Sequence, residues 1–211
     1  MIPVESLVTF IVASALLSIA PGPDNIFVLM QSALYGRKSG VLVTFGLCTG
    51  LVVHTTVVAL GIAAIFQTSV AAFTVLKIAG ALYLLYLAWQ AFTASTARLE
   101  GHSSTLRSGS TLYRRGIIMN ITNPKVSIFF LAFLPQFASP ESGAIAPQIF
   151  LLGAVFIGIA LVIFSAIAVL AGTLGGWLNS SPKAQIYLNR LAGTVFVGLA
   201  LKLATSSAHA E

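Results

Sequence analysis

The stretch Ile19-Ala20-Pro21-Gly22-Pro23-Asp24-Asn25 decides the fold. It interrupts the first apolar segment of the chain. A second interruption, Asn123-Pro124-Lys125, falls inside the fourth. Each sets a helix breaker beside a full charge, Asp24 or Lys125, where lipid would demand an unbroken apolar helix. Irregular backbone survives at membrane depth only when protein or a water-filled cavity covers it. Paired interruptions in corresponding halves of a chain mark the binding site of a transporter.

The surrounding composition agrees. Hydrophobic residues make up 57% of the 211 and charged residues only 8%, against about 25% charged in soluble domains. Mean hydropathy is +0.98. The single cysteine, Cys48, excludes a disulfide framework and a two-cysteine redox centre and disfavours a soft-metal site. We read it as a small apolar filler. No cofactor or metal site is expected, and nothing resembles a nucleic-acid-binding module. The first apolar run lacks the basic segment of a secretory signal and carries Glu5 instead, so it is expected to be a retained membrane helix.

A membrane helix needs roughly 20 apolar residues. Six stretches qualify, at about 6–34, 40–66, 69–93, 116–138, 145–173 and 184–205. The first would be roughly 43 Å long if straight, at about 1.5 Å per residue. A break at Pro21-Gly22-Pro23 resolves that, because proline removes a donor and clashes with the preceding turn. Pro135 and Pro140 are expected to close the fourth span.

Basic residues sort by loop. Arg37 and Lys38 follow span one. Arg98, Arg107, Arg114 and Arg115 follow span three, and Lys183 precedes span six with Arg190 just inside it. The N-terminus and the loops after spans two and four hold none, and only Lys202 lies on that other side. The positive-inside rule then predicts cytoplasmic odd-numbered loops and both termini outside. This accounts for most of the +6 net charge without an anionic partner. Lys77 and Arg190 lie near helix ends and are expected to snorkel. Tyr83, Tyr86 and Trp89 read as an interfacial belt.

Spans three and six align at an offset of 113, with Lys77-Ile-Ala-Gly80 against Arg190-Leu-Ala-Gly193 and Tyr83 against Phe196. Gly40 and Gly153 share that offset. Pro23 and Pro124 differ by 101, so extra residues around Pro140 to Pro147 separate the first two spans of the second half. Three spans per half is an odd number, so the second half must be inverted. The expected fold is an all-α integral membrane protein with six transmembrane helices in two inverted three-helix repeats, the first and fourth helices broken by proline. It forms one domain over 1–211, with repeat one at 1–93, a basic cytoplasmic loop at 94–115 and repeat two at 116–211.

Asp24 and Lys125 fall near the middle of their spans, at equivalent positions. A charge there costs at least about 2.5–3.5 kcal/mol and normally faces the bundle interior with a partner. Either Lys125 attracts a substrate carboxylate while Asp24 meets an ammonium or carries a proton, or the two form a structural ion pair. Asn120, Asn123 and Ser127 share one helical face by spacing, as do Ser14, Ser18, Asn25 and Ser32 if phase survives the break. These either line an aqueous path or bond carbonyls freed by the prolines. His54 lies on a stripe with Gly46, Gly50 and Gly61, whose small residues turn it toward another helix. It suits either proton transfer or an interhelical hydrogen bond. Phe129, Phe130, Phe133 and Phe137 read as packing. The small-residue stripe admits packing within one copy or between copies of a homo-oligomer.

Three segments, in order, resemble the LysE/RhtB family of bacterial amino-acid exporters: Ala20-Pro-Gly-Pro-Asp24 with Asn25, Gly50-Leu-Val-Val-His54, and Asn123-Pro-Lys125. The run Gly80-Ala-Leu-Tyr83-Leu-Leu-Tyr86 matches as well. The resemblance spans essentially the whole chain. It implies a multi-pass protein of the bacterial inner membrane, with lipid around it, that exports amino acids such as homoserine, threonine, lysine or arginine on the proton or membrane gradient, with protons as one candidate coupling ion and without choosing the substrate. The substrate site would comprise Pro21, Gly22, Pro23, Asp24, Asn25, His54, Asn120, Asn123, Pro124 and Lys125. A metal-cation exporter of similar span number is disfavoured because Asp24 is the lone intramembrane carboxylate and Lys125 would repel the cargo. A membrane-embedded enzyme lacks a recognisable nucleophile motif. A non-transporting subunit would need docking loops, and only 94–115 is long enough.

Overall fold

The computed structural model describes residues 2–68, 70–94 and 108–205. Eight α-helices occupy them: α1 (Val4–Ile19), α2 (Pro23–Tyr35), α3 (Arg37–Thr68), α4 (Val70–Thr93), α5 (Gly109–Ile121), α6 (Pro124–Ile128), α7 (Ile145–Ser180) and α8 (Pro182–Thr205). There is no strand among the described residues. Arg98 and Arg107 lie outside them.

Both proline signals end a helix where expected. α1 and α2 meet at 55°, and the α5 direction turns by 50° into the segment Pro124–Phe137. Pro23 and Pro124 each open the helix after the break, the position where a missing N–H costs nothing. Past α6 the chain widens into a π-helical turn, Phe129–Phe133, then tightens into a 3₁₀ turn, Leu134–Phe137. Pro135 cannot donate to the preceding turn, which accounts for the change of pitch.

Three helices are long and apolar enough to cross a membrane, over Arg37–Gly61, Ile145–Ala171 and Lys183–Thr205; each bent pair taken as one span brings the number to five. The third expected span, α4, is helical but is not among those five. One expected boundary needs correction. The fourth helical segment starts at Gly109 rather than 116, because Ser108 caps it by accepting from the Thr111 amide. Arg114 and Arg115 therefore project from a helix, exposed, and not from the 94–115 loop.

Large apolar side chains cover much of the outside, including Val57, Leu60, Val162 and Leu201. The interior holds a phenyl cluster. Phe10, Phe129, Phe130 and Phe133 are fully buried, and the Phe129 ring lies 4.9 Å from that of Phe133 and 5.3 Å from that of Phe156. These rings pack, as expected. On α4, Tyr83, Tyr86 and Trp89 form a partly exposed stack with successive centroids 5.9 and 6.2 Å apart. Arg190 is exposed, and the Lys202 ammonium sits 4.4 Å from the centre of the Phe137 ring.

Glycines set the closest helix approaches. A Cβ on Gly46 of α3 would lie 3.0 Å from Gly116 Cα of α5 and collide with the Tyr113 carbonyl; one on Gly50 would lie 2.7 Å from Asn120. The stripe thus packs within the chain, against α5. Gly61 meets nothing within 4 Å and does not belong to that contact.

After the fourth segment, Gln148 of α7 holds the loop 138–144. Its amide donates to the carbonyls of Ser139 (2.8 Å) and Gly143 (3.0 Å), and its Oε1 accepts from the Ser139 amide (3.1 Å). Gln148→Leu is expected to cost about 1–3 kcal/mol, since the freed backbone groups lose their partners. The observable is faster limited proteolysis at this loop with the helices still protected.

Candidate functional site

Each proline frees a carbonyl four residues earlier, and those carbonyls organise the site. In a continuous helix Leu17 O would accept from residue 21, which is Pro21. Here it accepts instead from Lys125 Nζ at 3.2 Å, and Ala20 O accepts from the same ammonium at 3.0 Å. Ser18 O, whose regular donor would be the displaced Gly22 amide, accepts from Asn25 Nδ2 at 2.7 Å. In the second break Pro124 leaves Asn120 O without its regular donor. The Asn123 amide (3.0 Å) and His54 Nε2 (3.2 Å) take its place. A carbonyl only accepts, so Nε2 carries the hydrogen and Nδ1 of a neutral ring keeps its lone pair.

The two breaks therefore clasp each other. Lys125, from the second, reaches the C-terminal end of α1, where the helix dipole is negative. Asp24, in the first turn of α2 where the dipole is positive, accepts through Oδ2 from Asn120 Nδ2 of α5 at 3.1 Å. Asp24 is 2% exposed and Lys125 7%, so both charges are held inside the protein. They have different partners, and no direct ion pair joins them among the described residues. The structural ion pair considered from sequence is thus replaced by three separate bonds, two from Lys125 and one to Asp24, because the carbonyls at the end of α1 offer the lysine a nearer seat. Gly22 makes that seat possible: a Cβ there would stand 3.0 Å from Lys125 Nζ.

Other expected residues divide by what they bond. Asn123 caps α6 by accepting from the Lys125 amide at 3.0 Å, and Ser127 and Ser14 bond back to carbonyls one turn earlier. The break between Asn120 and Asn123 interrupts their common helical phase, so the three-residue stripe ending in Ser127 is not one helical face. On the first span Ser14, Ser18, Asn25 and Ser32 are all buried. His54 is half-buried against the Phe130 ring, centroids 5.7 Å apart.

Five buried polar atoms around the breaks have no protein partner: Ser18 Oγ, Asp24 Oδ1, Asn25 Oδ1, Asn120 Oδ1 and Asn123 Nδ2. Buried polar groups are overwhelmingly paired in folded proteins, and such a concentration calls for a reason. The carbonyls of Leu17 and Ala20 are site groups that side-chain reading passed over. The signal was present in Pro21, whose missing N–H identifies Leu17 O as an unclaimed acceptor.

The sequence profile of the LysE type translocators matches residues 15–207. The chain belongs to that family. LysE translocators are transporters, not enzymes. The homoserine/homoserine lactone efflux protein of Salmonella typhimurium is 35% identical over 202 residues, covering 95% of this chain and 96% of its own. A membrane protein of Vibrio cholerae is 31% identical, over 94% and 96% of the two chains. The leucine efflux protein of Klebsiella pneumoniae is 28% identical over 96% of each. No solved structure matches. The family match takes in both proline breaks and every residue of the clasp. With its apolar exterior, this LysE protein is a multi-pass membrane protein.

Proposed function

We propose that this LysE translocator is a secondary transporter that exports amino acids across the bacterial inner membrane, driven by the proton or membrane gradient. The clasp carries this reading: two opposite charges and five unpartnered polar atoms gather, buried, where two broken helices meet. A zwitterion supplies a carboxylate and an ammonium, the complements of Lys125 and Asp24. The relatives named for homoserine, its lactone and leucine efflux support an amino-acid-like cargo. All three of those solutes carry a primary amine. Asp24, and His54 through Nδ1, are the candidate proton carriers.

The transporter is read as six spans in two inverted repeats that rock about this site. Reciprocal contacts support the symmetry. Gly40 of α3 packs on Ala168 of α7, and Thr55 of α3 packs on Gly153 of α7. Adding 113 to Gly40 and to Thr55 gives Gly153 and Ala168, so each contact is the image of the other.

The deciding test is efflux from cells preloaded with a labelled amino-acid mixture. Release that depends on the chain and collapses with a protonophore supports the reading. Release of no amino acid, with the protein in the membrane, overturns it, and metal flux is then measured. Orientation has its own test in a Cys48→Ala background. In intact cells an impermeant maleimide is expected to label Glu141→Cys and spare Lys38→Cys until the membrane is opened. The reverse pattern would invert the topology.

A further inference from the structure

Lys125 gives its ammonium to two backbone oxygens and not to the carboxylate of Asp24, which is buried at the other side of the same break. Those oxygens end α1, and neither has another donor: Pro21 cannot serve Leu17 O, and Ala20 O lies beyond the last helical turn. Two convergent carbonyls at the negative end of a helix suit a primary ammonium, which offers three N–H donors. Two residues after Gly22, whose Cβ position would lie 3.0 Å from Lys125 Nζ, Asp24 Oδ1 is buried and unpartnered, an alternative seat for a lysine that has let go.

We propose that the Leu17 and Ala20 carbonyls form a primary-ammonium subsite that Lys125 fills as a tethered stand-in. The ammonium of an incoming solute displaces it, and Lys125 turns to the free oxygen of Asp24 or to the solute's carboxylate. This rests on the transport reading for the identity of the solute, but not for the existence of the subsite. In the state described here Lys125 also ties the second break to the end of α1, so the exchange would undo that tie and leave the Asn120–Asp24 bond between the breaks. Only an amine with free N–H groups can make it. Quaternary ammonium and N-acylated compounds cannot.

The test uses the full chain, purified in detergent, and follows thermal unfolding of the wild type, Lys125→Ala and Lys125→Met at constant ionic strength. n-Butylammonium supplies the lost group to Lys125→Ala. At tenfold its dissociation constant it is expected to raise the midpoint by about 3–6 °C. The wild type should move by less than half as much, because a tethered amine competes at high effective concentration. Tetramethylammonium, which has the charge but no N–H, should move neither. If Lys125→Ala does not fold, Lys125→Met keeps the stem volume and methylammonium takes the probe's role. Equal shifts in variant and wild type, equal action of tetramethylammonium, or no shift in a folded variant would each overturn the subsite. A chain that exports no amino acid yet shows the selective rescue would lose the transport reading and keep this one.

Discussion

Asp24→Asn is expected to stop export while the protein still reaches the membrane. Asparagine keeps the shape and can still accept from Asn120 Nδ2 at the present 3.1 Å, so the clasp between α2 and α5 survives. What disappears is the only carboxylate of the buried site. Under the transport reading Asp24 meets the solute's ammonium, and removing one partner of such a desolvated, hydrogen-bonded charge pair costs about 2–5 kcal/mol. At about 1.36 kcal/mol per decade, that is a fall of roughly 30-fold to several thousand-fold. The readout is initial efflux rate from preloaded cells at matched membrane abundance. Efflux within about threefold of wild type would remove Asp24 from the transport site.

Gly46→Leu is expected to destabilise the fold and to lower activity with it. The new Cβ would press on the Tyr113 carbonyl and on Gly116 Cα, both backbone, so no side-chain rotation relieves it. α3 and α5 must part. Overpacking of a tight core costs typically about 1–3 kcal/mol, occasionally more, and here the separation also draws Asn120 away from His54 and Asp24. Membrane abundance and thermal midpoint should both drop, by roughly 3–10 °C for the latter. Gly61→Leu is the control on the same helix. It meets nothing within 4 Å and should leave abundance and efflux near wild type. A folded, active Gly46→Leu protein would mean that α3 and α5 do not touch as described.

Much of this site was legible in the chain because its signals are local. Pro21, Pro23 and Pro124 lack an N–H wherever they fold, so the breaks follow from covalent structure. The Gly46, Gly50 and His54 spacing places three residues on one face, and they do meet a helix. The residues that misled were those whose neighbours decide their role. Ser108 moved the start of α5 ahead of the apolar run, because a cap is read from geometry and not from hydropathy. Asn123, equally at home on a path or at a cap, serves as a cap and leaves only its Nδ2 unclaimed.

What the sequence determined by itself was membrane residence, where two helices break, and which charges are carried into the interior. All of these depend on residue chemistry within a few positions along the chain. Only the tertiary structure decided who holds whom: Lys125 on the end of α1 rather than on Asp24, Asn120 on Asp24, and His54 on the carbonyl that Pro124 freed. Those partners stand 66 to 108 residues apart. Among several donors able to reach an orphaned carbonyl, helix packing brings one to 3.0–3.2 Å, and no local pattern records which.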